Sequence, residues 1–284
     1  MKVGFTSMNT PADVPMDVLA PALEARGYDS LWIGEHSHIP VSRRTPYPAG
    51  GELPDQYRWM MDPFLGLLVA ARSTEQLLIG TGVALPLEHD LFALAKTVST
   101  LDRLSGGRLM FGVGVGWNEE ELADHRPIPW SQRYLALGEA VGALRALWSD
   151  EESEFHGTYF DFGPVWSLPK PLQRPHPPIV CGTSGRTGTR EAVAWGDGWM
   201  PMDVGLGDVA KKVRIFREAA EAAGRGRLPI TMVTYGDPTL ATLASYRDLG
   251  VERVVVGAAR TGWDDPSTTL PCVDHYAEMI SELA

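Results

Sequence analysis

The feature of this sequence that most constrains its fold is a repeated alternation between two apolar patterns. Short runs rich in β-branched residues are followed by longer segments in which apolar residues recur every three or four positions. This alternation is typical of parallel strands that are connected by helices. We predict strands at residues 2–6, 30–34, 77–85, 108–113, 178–182, 198–202, 230–234 and 253–256.

The segments between these runs predict amphipathic helices. Met16, Leu19, Ala20 and Leu23 stand at positions i, i+3, i+4 and i+7, so they share one helix face, and Gly27 can end that helix. The same spacing predicts two further core-facing helices, one with Leu137, Val141, Leu144 and Trp148 and the other with Val209, Val213, Phe216 and Ala220.

Alternating strands and helices of this number predict an α/β protein, specifically a (β/α)₈ TIM barrel with insertions. A closed barrel has no edge strands, whereas an open sheet of the same size must protect two. Two dinucleotide-binding halves would require a GxGxxG motif after the first strand, and residues 5–9 contain none. At 284 residues, the chain has a suitable length for one barrel domain spanning residues 1–284.

Two connections are too long to be simple loops, at residues 36–61 and at about 149–177. The first follows a strand end, which is where barrel enzymes keep their active sites. Its aromatic residues Tyr47, Tyr57 and Trp59 predict an ordered lid over a substrate. The second is rich in proline and aromatic residues, so we expect it to pack against the barrel as an insertion.

Composition argues against several classes of function. A net charge of -11 disfavours nucleic-acid binding, which needs a basic surface. No apolar run approaches the roughly 18 residues of a membrane span, and residues 1–5 enter a strand-like run without a secretory signal, so we expect a cytoplasmic protein. Cys181 and Cys272 lack disulfide or metal-site spacing, so we expect reduced thiols.

The second strand ends in a carboxylate and two imidazoles, Glu35, His36 and His38. A histidine at the barrel mouth can shuttle a proton near neutral pH, although each of these residues could instead cap the loop. The spacing of His36 and His38 also admits a metal-dependent hydrolase as an alternative. The later strand ends lack the additional His and Asp ligands of such enzymes, so we expect no metal.

Three glycine-rich segments follow other strands. Residues 80–83 of the third strand indicate either a group lying close to the backbone or a crowded barrel interior. Residues 112–116, before a helix at or near Asn118, suit an anion or a ring edge but also an ordinary corner. Residues 182–188 could bind phosphate, with Arg186 assisting, or could simply be a loop and helix cap.

These motifs, in this order along most of the chain, resemble the luciferase-like monooxygenase superfamily and particularly its coenzyme F420-dependent branch. The resemblance rests on residues 34–36, 80–83, 101–108, 112–118, 133–148, 155–157, 196–199 and the proline-rich run 169–178. It implies a barrel with insertions, usually dimeric, in which a flavin or deazaflavin ring lies across the strand ends.

The implied function is that of an F420-dependent oxidoreductase, which transfers a hydride between the deazaflavin and a small organic substrate. A reduced-FMN-dependent monooxygenase on the same fold is the principal alternative. A barrel that binds a ligand without catalysis is a further one.

By the same resemblance, His36 and Glu35 are the catalytic candidates beside the redox centre. The Gly82–Val83 peptide is expected to back the ring as a non-prolyl cis bond. Thr183 stands where many relatives have a second glycine, and Gly188 is expected to interrupt the following helix. The remaining cofactor-binding candidates are Thr81, Gly114, Val115, Gly116, Asn118, Gly182, Thr183, Ser184, Gly185 and Arg186, with Arg43 and Arg44 as further candidates for its acidic tail.

Overall fold

The computed structural model describes residues 1–257 and 266–284. Within them, the strands that form the barrel are all parallel. They are β1 (Lys2–Ser7), β2 (Ser30–Ile33), β3 (Leu78–Thr81), β4 (Leu109–Val113), β7 (Ile179–Cys181), β8 (Gly198–Trp199), β9 (Thr231–Val233) and β10 (Arg253–Gly257), while β5 (Ser153–His156) and β6 (Asp161–Val165) form a separate antiparallel hairpin.

The parallel strands close into a barrel. Their order is β8-β7-β4-β3-β2-β1-β10-β9, so strands that follow one another in the barrel sequence are neighbours. Parallel bridges from Trp199 to Ile230 and from Met202 to Val233 join the two ends of this order. The predicted (β/α)₈ barrel is therefore confirmed, and the carboxyl ends of its strands meet at one mouth.

Helices connect the strands and cover the outside of the barrel. The helices of the described residues are α1 (Met16–Ala25), α2 (Pro63–Arg72), α3 (Leu91–Leu104), α4 (Glu119–His125), α5 (Arg133–Ser149), α6 (Gly185–Trp195), α7 (Val209–Ala222), α8 (Leu240–Asp248) and α9 (Thr269–Leu283).

The helix faces predicted from spacing are the buried ones. In α1, Leu19, Ala20 and Leu23 are fully buried, and Gly27 follows the helix with a φ of 81°, a conformation that favours glycine. A buried leucine side chain contributes about 2 kcal/mol to burial free energy, so such faces fix each helix against the sheet. The predicted faces of α5 and α7 are buried as well, except that Val209 is only half-buried.

A tryptophan fills the barrel interior. Trp32 of β2 is fully buried, where it packs with Val180, Met200 and Val255. A β-carbon on Gly80 of the neighbouring strand would lie 2.5 Å from the Trp32 ring. Of the two alternatives for Gly80, a crowded interior is therefore the one that the structure supports.

The third strand ends earlier than predicted. It stops at Thr81 because the chain beyond turns away from regular pairing, and the Gly82–Val83 peptide is cis, as the resemblance implies. Ala84 makes an isolated bridge to Val113, and the Leu85 amide donates to the Glu35 carboxyl group instead of to a strand.

The two long connections differ in structure. Residues 36–61 contain a 3₁₀ helix, Asp55–Trp59, and their end is attached to the barrel by Asn9, whose side-chain amide donates to the carbonyls of Met61 and Asp62. The second connection contains the β5–β6 hairpin, which lies against α5. Among the described residues, no helix is both long and apolar enough to cross a bilayer.

We predict that Gly80→Ala destabilises the protein by about 1–3 kcal/mol, because the added methyl group must displace the Trp32 ring from a packed interior. Urea denaturation followed by tryptophan fluorescence measures the change. Gly163→Ala in β6 is the control, since a β-carbon there meets nothing within 4 Å. Equal stability of the two variants would contradict the assigned packing.

Candidate active site

His36 lies at the barrel mouth, three residues after β2, with its side chain 7% exposed. Its Nδ1 is 2.7 Å from Glu121 Oε2, and the Trp117 indole N–H donates to its Nε2 over 3.0 Å. An indole N–H can only donate, so His36 Nε2 accepts and Nδ1 carries the proton. Glu121 thus receives a hydrogen bond from a neutral imidazole of defined tautomer.

Glu121 and Trp117 are site residues that sequence reasoning missed. Glu121 stands in α4, its side chain is 1% exposed, and its second oxygen, Oε1, has no hydrogen-bond partner among the described residues. The signal in the sequence is weak for both residues. Trp117 ends a glycine-rich turn that suits an anion or a ring edge, but Glu121 lies in an acidic run that is also typical of a solvent-exposed helix start.

Glu35 is turned away from His36 and joins two strand ends. Its Oε2 accepts from the Leu85 amide at 2.7 Å, and its Oε1 is 2.8 Å from His89 Nε2. Burial lowers the pKa of His89, but the hydrogen bond and charge of Glu35 outweigh it and leave that pKa raised. Both Glu35 oxygens are thereby engaged, so the structure gives this residue a positioning role where the motif implied a catalytic one.

Aromatic side chains cover His36. Its ring centroid lies 5.4 Å from that of Tyr57 and 5.5 Å from that of Trp117, both edge to face. Tyr47 is buried, and its hydroxyl is 3.3 Å from the hydroxyls of both Tyr57 and Tyr235. Burial and these hydrogen bonds raise the pKa of Tyr47, which keeps it a neutral phenol. Two of the three predicted lid residues therefore meet over the site.

The third predicted lid residue does not join them. Trp59 is 60% exposed, and its indole N–H donates to Asp55 at the surface, because the 3₁₀ helix turns it outward. Arg43 lies over the Trp117 ring at 5.5 Å, close to the site, whereas Arg44 is an exposed residue 3.4 Å from Glu120.

The glycines at the ends of β4 and β7 make room for Val83. A β-carbon on Gly114 would lie 2.6 Å from Val83 Cγ2, and one on Gly182 would lie 2.2 Å from Val83 Cγ1. Val83 is thus seated between two strand ends. Thr81 is buried beside it and donates to the Gly112 carbonyl at 2.6 Å.

Asn118 has the properties of a ligand-binding residue. It is 1% exposed and precedes α4, but its side chain does not cap the helix. Neither its amide oxygen nor its amide nitrogen has a hydrogen-bond partner within the described part of the chain. An unpaired buried amide costs about 1–3 kcal/mol, so such a group in a native protein calls for an explanation. Its predecessors Val115 and Gly116 are buried and half-buried, and Gly116 has a φ of 69°.

The predicted phosphate segment begins α6, and the expectation about Gly188 is wrong. Gly188 lies inside the helix, where a β-carbon would be 2.5 Å from Cβ of Thr183. Glycine is needed there because Thr183 packs beneath the first turn. Ser184 is the N-cap, without a side-chain cap bond, and Gly185 and Arg186 are exposed on the first turn, where backbone amides remain available.

His36 and His38 do not converge as a pair of metal ligands would. The strand ends at Ile33, so the side chains are not held two apart on one strand face. His38 is 39% exposed with Nε2 3.1 Å from Asp124, whereas His36 is directed to Glu121. Over residues 1–257 and 266–284, no group of three His, Cys, Asp or Glu side chains is placed to hold a metal ion.

The sequence profile of the luciferase-like monooxygenase family matches residues 16–246. An uncharacterised protein of Mycobacterium tuberculosis is 37% identical over 93% of this chain and 94% of its own length. An F420-dependent hydroxymycolic acid dehydrogenase of the same organism is 30% identical over 72% of this chain and 53% of that protein. An FMNH(2)-dependent dimethylsulfone monooxygenase of Pseudomonas putida is 33% identical over 46% and 36%.

Solved structures show the same fold. The monooxygenase RslO1 of Streptomyces bottropensis superposes with a TM-score of 0.78 at 22% identity, covering 99% of both chains. An F420-dependent secondary alcohol dehydrogenase superposes with a TM-score of 0.70 at 19% identity, covering 96% of this chain and 98% of that one. Because the family profile matches residues 16–246, this chain belongs to the luciferase-like monooxygenase family, and its barrel agrees with that assignment.

We predict that Asn118→Leu raises the free energy of unfolding by about 1–2 kcal/mol, because it replaces an unpaired buried amide with an apolar group of similar size. Asn9→Leu is the contrasting control: it removes two hydrogen bonds at a position with φ of 54°, so it should destabilise. Urea denaturation compares them. Loss of stability in Asn118→Leu would show that the amide is already satisfied.

Proposed function

We propose that this protein is an F420-dependent oxidoreductase that transfers a hydride between the deazaflavin and a small organic substrate. The observation that carries the proposal is the unpaired, buried amide of Asn118 at a glycine-lined mouth that also holds a neutral His36. Such a mouth suits a flat ring with hydrogen-bonding edges.

The residues present fit such a cofactor. The Asn118 amide offers one acceptor and two donors, which can pair with the carbonyl and N–H groups on the edge of a flavin or deazaflavin ring. Backbone at Gly82, Val83, Gly114, Val115 and Gly116 can approach the ring closely. Further out, Gly182, Thr183, Ser184, Gly185 and Arg186 place helix amides and a cation where a phosphate would be held.

When bound, the deazaflavin accepts or returns a hydride at its C5. The protein must then take up or supply the matching proton. His36 can do so at Nε2 once Trp117 withdraws its N–H, and the Glu121 carboxylate at Nδ1 stabilises the imidazolium that results. Tyr47 and Tyr57 shield this exchange from water.

The named relatives support the oxidoreductase class and leave two cofactors to compare, since they include F420-dependent dehydrogenases and an FMNH(2)-dependent monooxygenase. The similarity to the F420-dependent relatives extends over a larger share of this chain, 72% against 46%. This difference favours F420. A reduced-FMN-dependent monooxygenase is the second candidate, and the same mouth would accept its ring.

Titration of the protein with F420 and, separately, with FMN tests the proposal through the fluorescence of its nine tryptophans. We expect F420 to bind in the micromolar range and FMN much more weakly. Arg186→Gln should weaken F420 binding by about tenfold, the value of one charge-assisted hydrogen bond. Arg190→Gln, one turn further along α6 and paired with Glu191, is the matched control and should bind like the wild type.

Each other outcome has a defined meaning. Preferential binding of FMN, with oxygen consumption on reduction, would replace the proposal with the monooxygenase. Binding of neither compound would overturn the cofactor assignment.

A further inference from the structure

A series of titratable groups follows His36 and ends at the half-exposed His38. Its first member is Glu121, which accepts the His36 Nδ1 proton over 2.7 Å and has an unpaired second oxygen. Its next member is Glu88, at the end of the 3₁₀ helix Pro86–Glu88, which packs against the helix α4 that carries Glu121. Neither the proposed hydride transfer nor the packing of the barrel accounts for Glu88.

Glu88 is a buried carboxyl group whose side chain is 3% exposed. Its Oε2 has no hydrogen-bond partner among the described residues. Burial, followed by the charges of Glu121 and Glu35, raises the pKa of Glu88 to about 9. The group therefore holds a proton at neutral pH, and its pKa depends on the charge of Glu121.

His125 connects Glu88 with the surface. Its Nε2 lies 3.8 Å from Glu88 Oε2 and 2.8 Å from Ser37 Oγ, so a small rotation of the ring lets one nitrogen serve both. Ser37 Oγ is 2.8 Å from Nδ1 of His38, which is 39% exposed and contacts Asp124. Burial and the charges of His38 and His89 lower the pKa of His125 against the opposing charges of Glu121 and Asp124, so its imidazole is neutral and able to accept a proton.

We propose that Glu121, Glu88 and His125 form a proton relay between His36 and solvent. In the outward direction, a His36 that has taken up a proton at Nε2 gives its Nδ1 proton to Glu121 while Glu88 gives its proton to His125. The proton on Glu121 then passes to Glu88. The two carboxyl groups together hold one proton before and after the step, and His125 releases the extra proton through Ser37 and His38 or directly to water. The reverse sequence delivers a proton to His36.

The use of this relay in catalysis rests on the proposed function, but proton conduction does not require a cofactor. The unpaired oxygens of Glu121 and Glu88 are what a relay needs and what a static scaffold avoids, because a buried polar atom without a partner is unfavourable.

The relay is tested by the rate at which the His36 Nδ1 proton exchanges with water, measured by NMR on ¹⁵N-histidine-labelled protein without cofactor. The chain has only seven histidines, so the signal is assignable by substitution. We expect Glu88→Gln to slow this exchange at least about tenfold, because glutamine cannot release a proton. Exchange at the wild-type rate would overturn the proposal.

A merely structural role for Glu88 gives the opposite sign, since loosening the site would speed exchange through local opening. Glu119→Gln is the matched control, because Glu119 is exposed at the start of α4, which also carries Glu121 and His125, and should leave the rate unchanged. His125→Asn tests the outer step and should also slow exchange. Faster exchange in both Glu88→Gln and His125→Asn would contradict the relay.

The charge state of Glu88 gives a second readout. Because the pKa of Glu88 is raised in the folded protein, its contribution to stability is fully present below the pKa that the residue has in the unfolded chain. That contribution is lost as the pH rises toward about 9. Glu88→Gln should therefore raise Tm more at pH 8 than at pH 5. Because Glu88 is neutral, the same substitution should leave the pKa of His125 unchanged. Removal of an ionised Glu88 would instead lower the pKa of His125.

Failure of F420 to bind would leave these measurements intact, so the relay and the proposed function can fail separately.

Discussion

The arrangement of the barrel mouth depends on the hydrogen bonds of the buried Glu35 carboxyl group. This side chain leaves the end of β2 and takes the Leu85 amide and His89 from the segment that follows β3. These hydrogen bonds hold together the two backbone segments that carry His36 and Glu88. Removing the carboxyl group would leave the buried Leu85 amide without this partner, which costs about 1–3 kcal/mol.

The site combines tight packing with unpaired polar atoms. Val83 fills the space that Gly114 and Gly182 leave, so the backbone around it is closely packed. Asn118, Glu121 and Glu88 contribute buried atoms without partners in the same region. A protein under selection for stability alone would replace these groups with apolar ones. Their presence is therefore best explained by ligand binding and proton transfer.

The sequence was sufficient to predict the barrel, because strand and helix periods differ and the predicted apolar faces are buried apart from the half-buried Val209. Local patterns were also sufficient to place His36 and the glycine-rich segments at strand ends, while their roles in the site stay predictions. The sequence could not reveal that Trp117 and Glu121 define the tautomer of His36, because those contacts join segments about 80 residues apart.

Other errors have the same origin. Gly188 looked like a helix breaker because its neighbour in space, Thr183, is not its neighbour in sequence. Trp59 looked like a lid residue because composition shows aromatic content but not the direction in which a short helix turns it. Glu35 was predicted to be catalytic because the motif places it beside His36, whereas its carboxyl group is hydrogen-bonded to Leu85 and His89 in the segment that follows β3.

His36 is held as a neutral imidazole that donates from Nδ1 to Glu121 and accepts at Nε2 from Trp117. Long-range ¹H–¹⁵N NMR correlation of the histidine ring at pH 7 tests it most directly, because protonated and acceptor nitrogens resonate far apart. We expect a protonated Nδ1 and an unprotonated Nε2, with the Nε2 resonance shifting in Trp117→Phe. A doubly protonated ring, or a proton on Nε2, would contradict it.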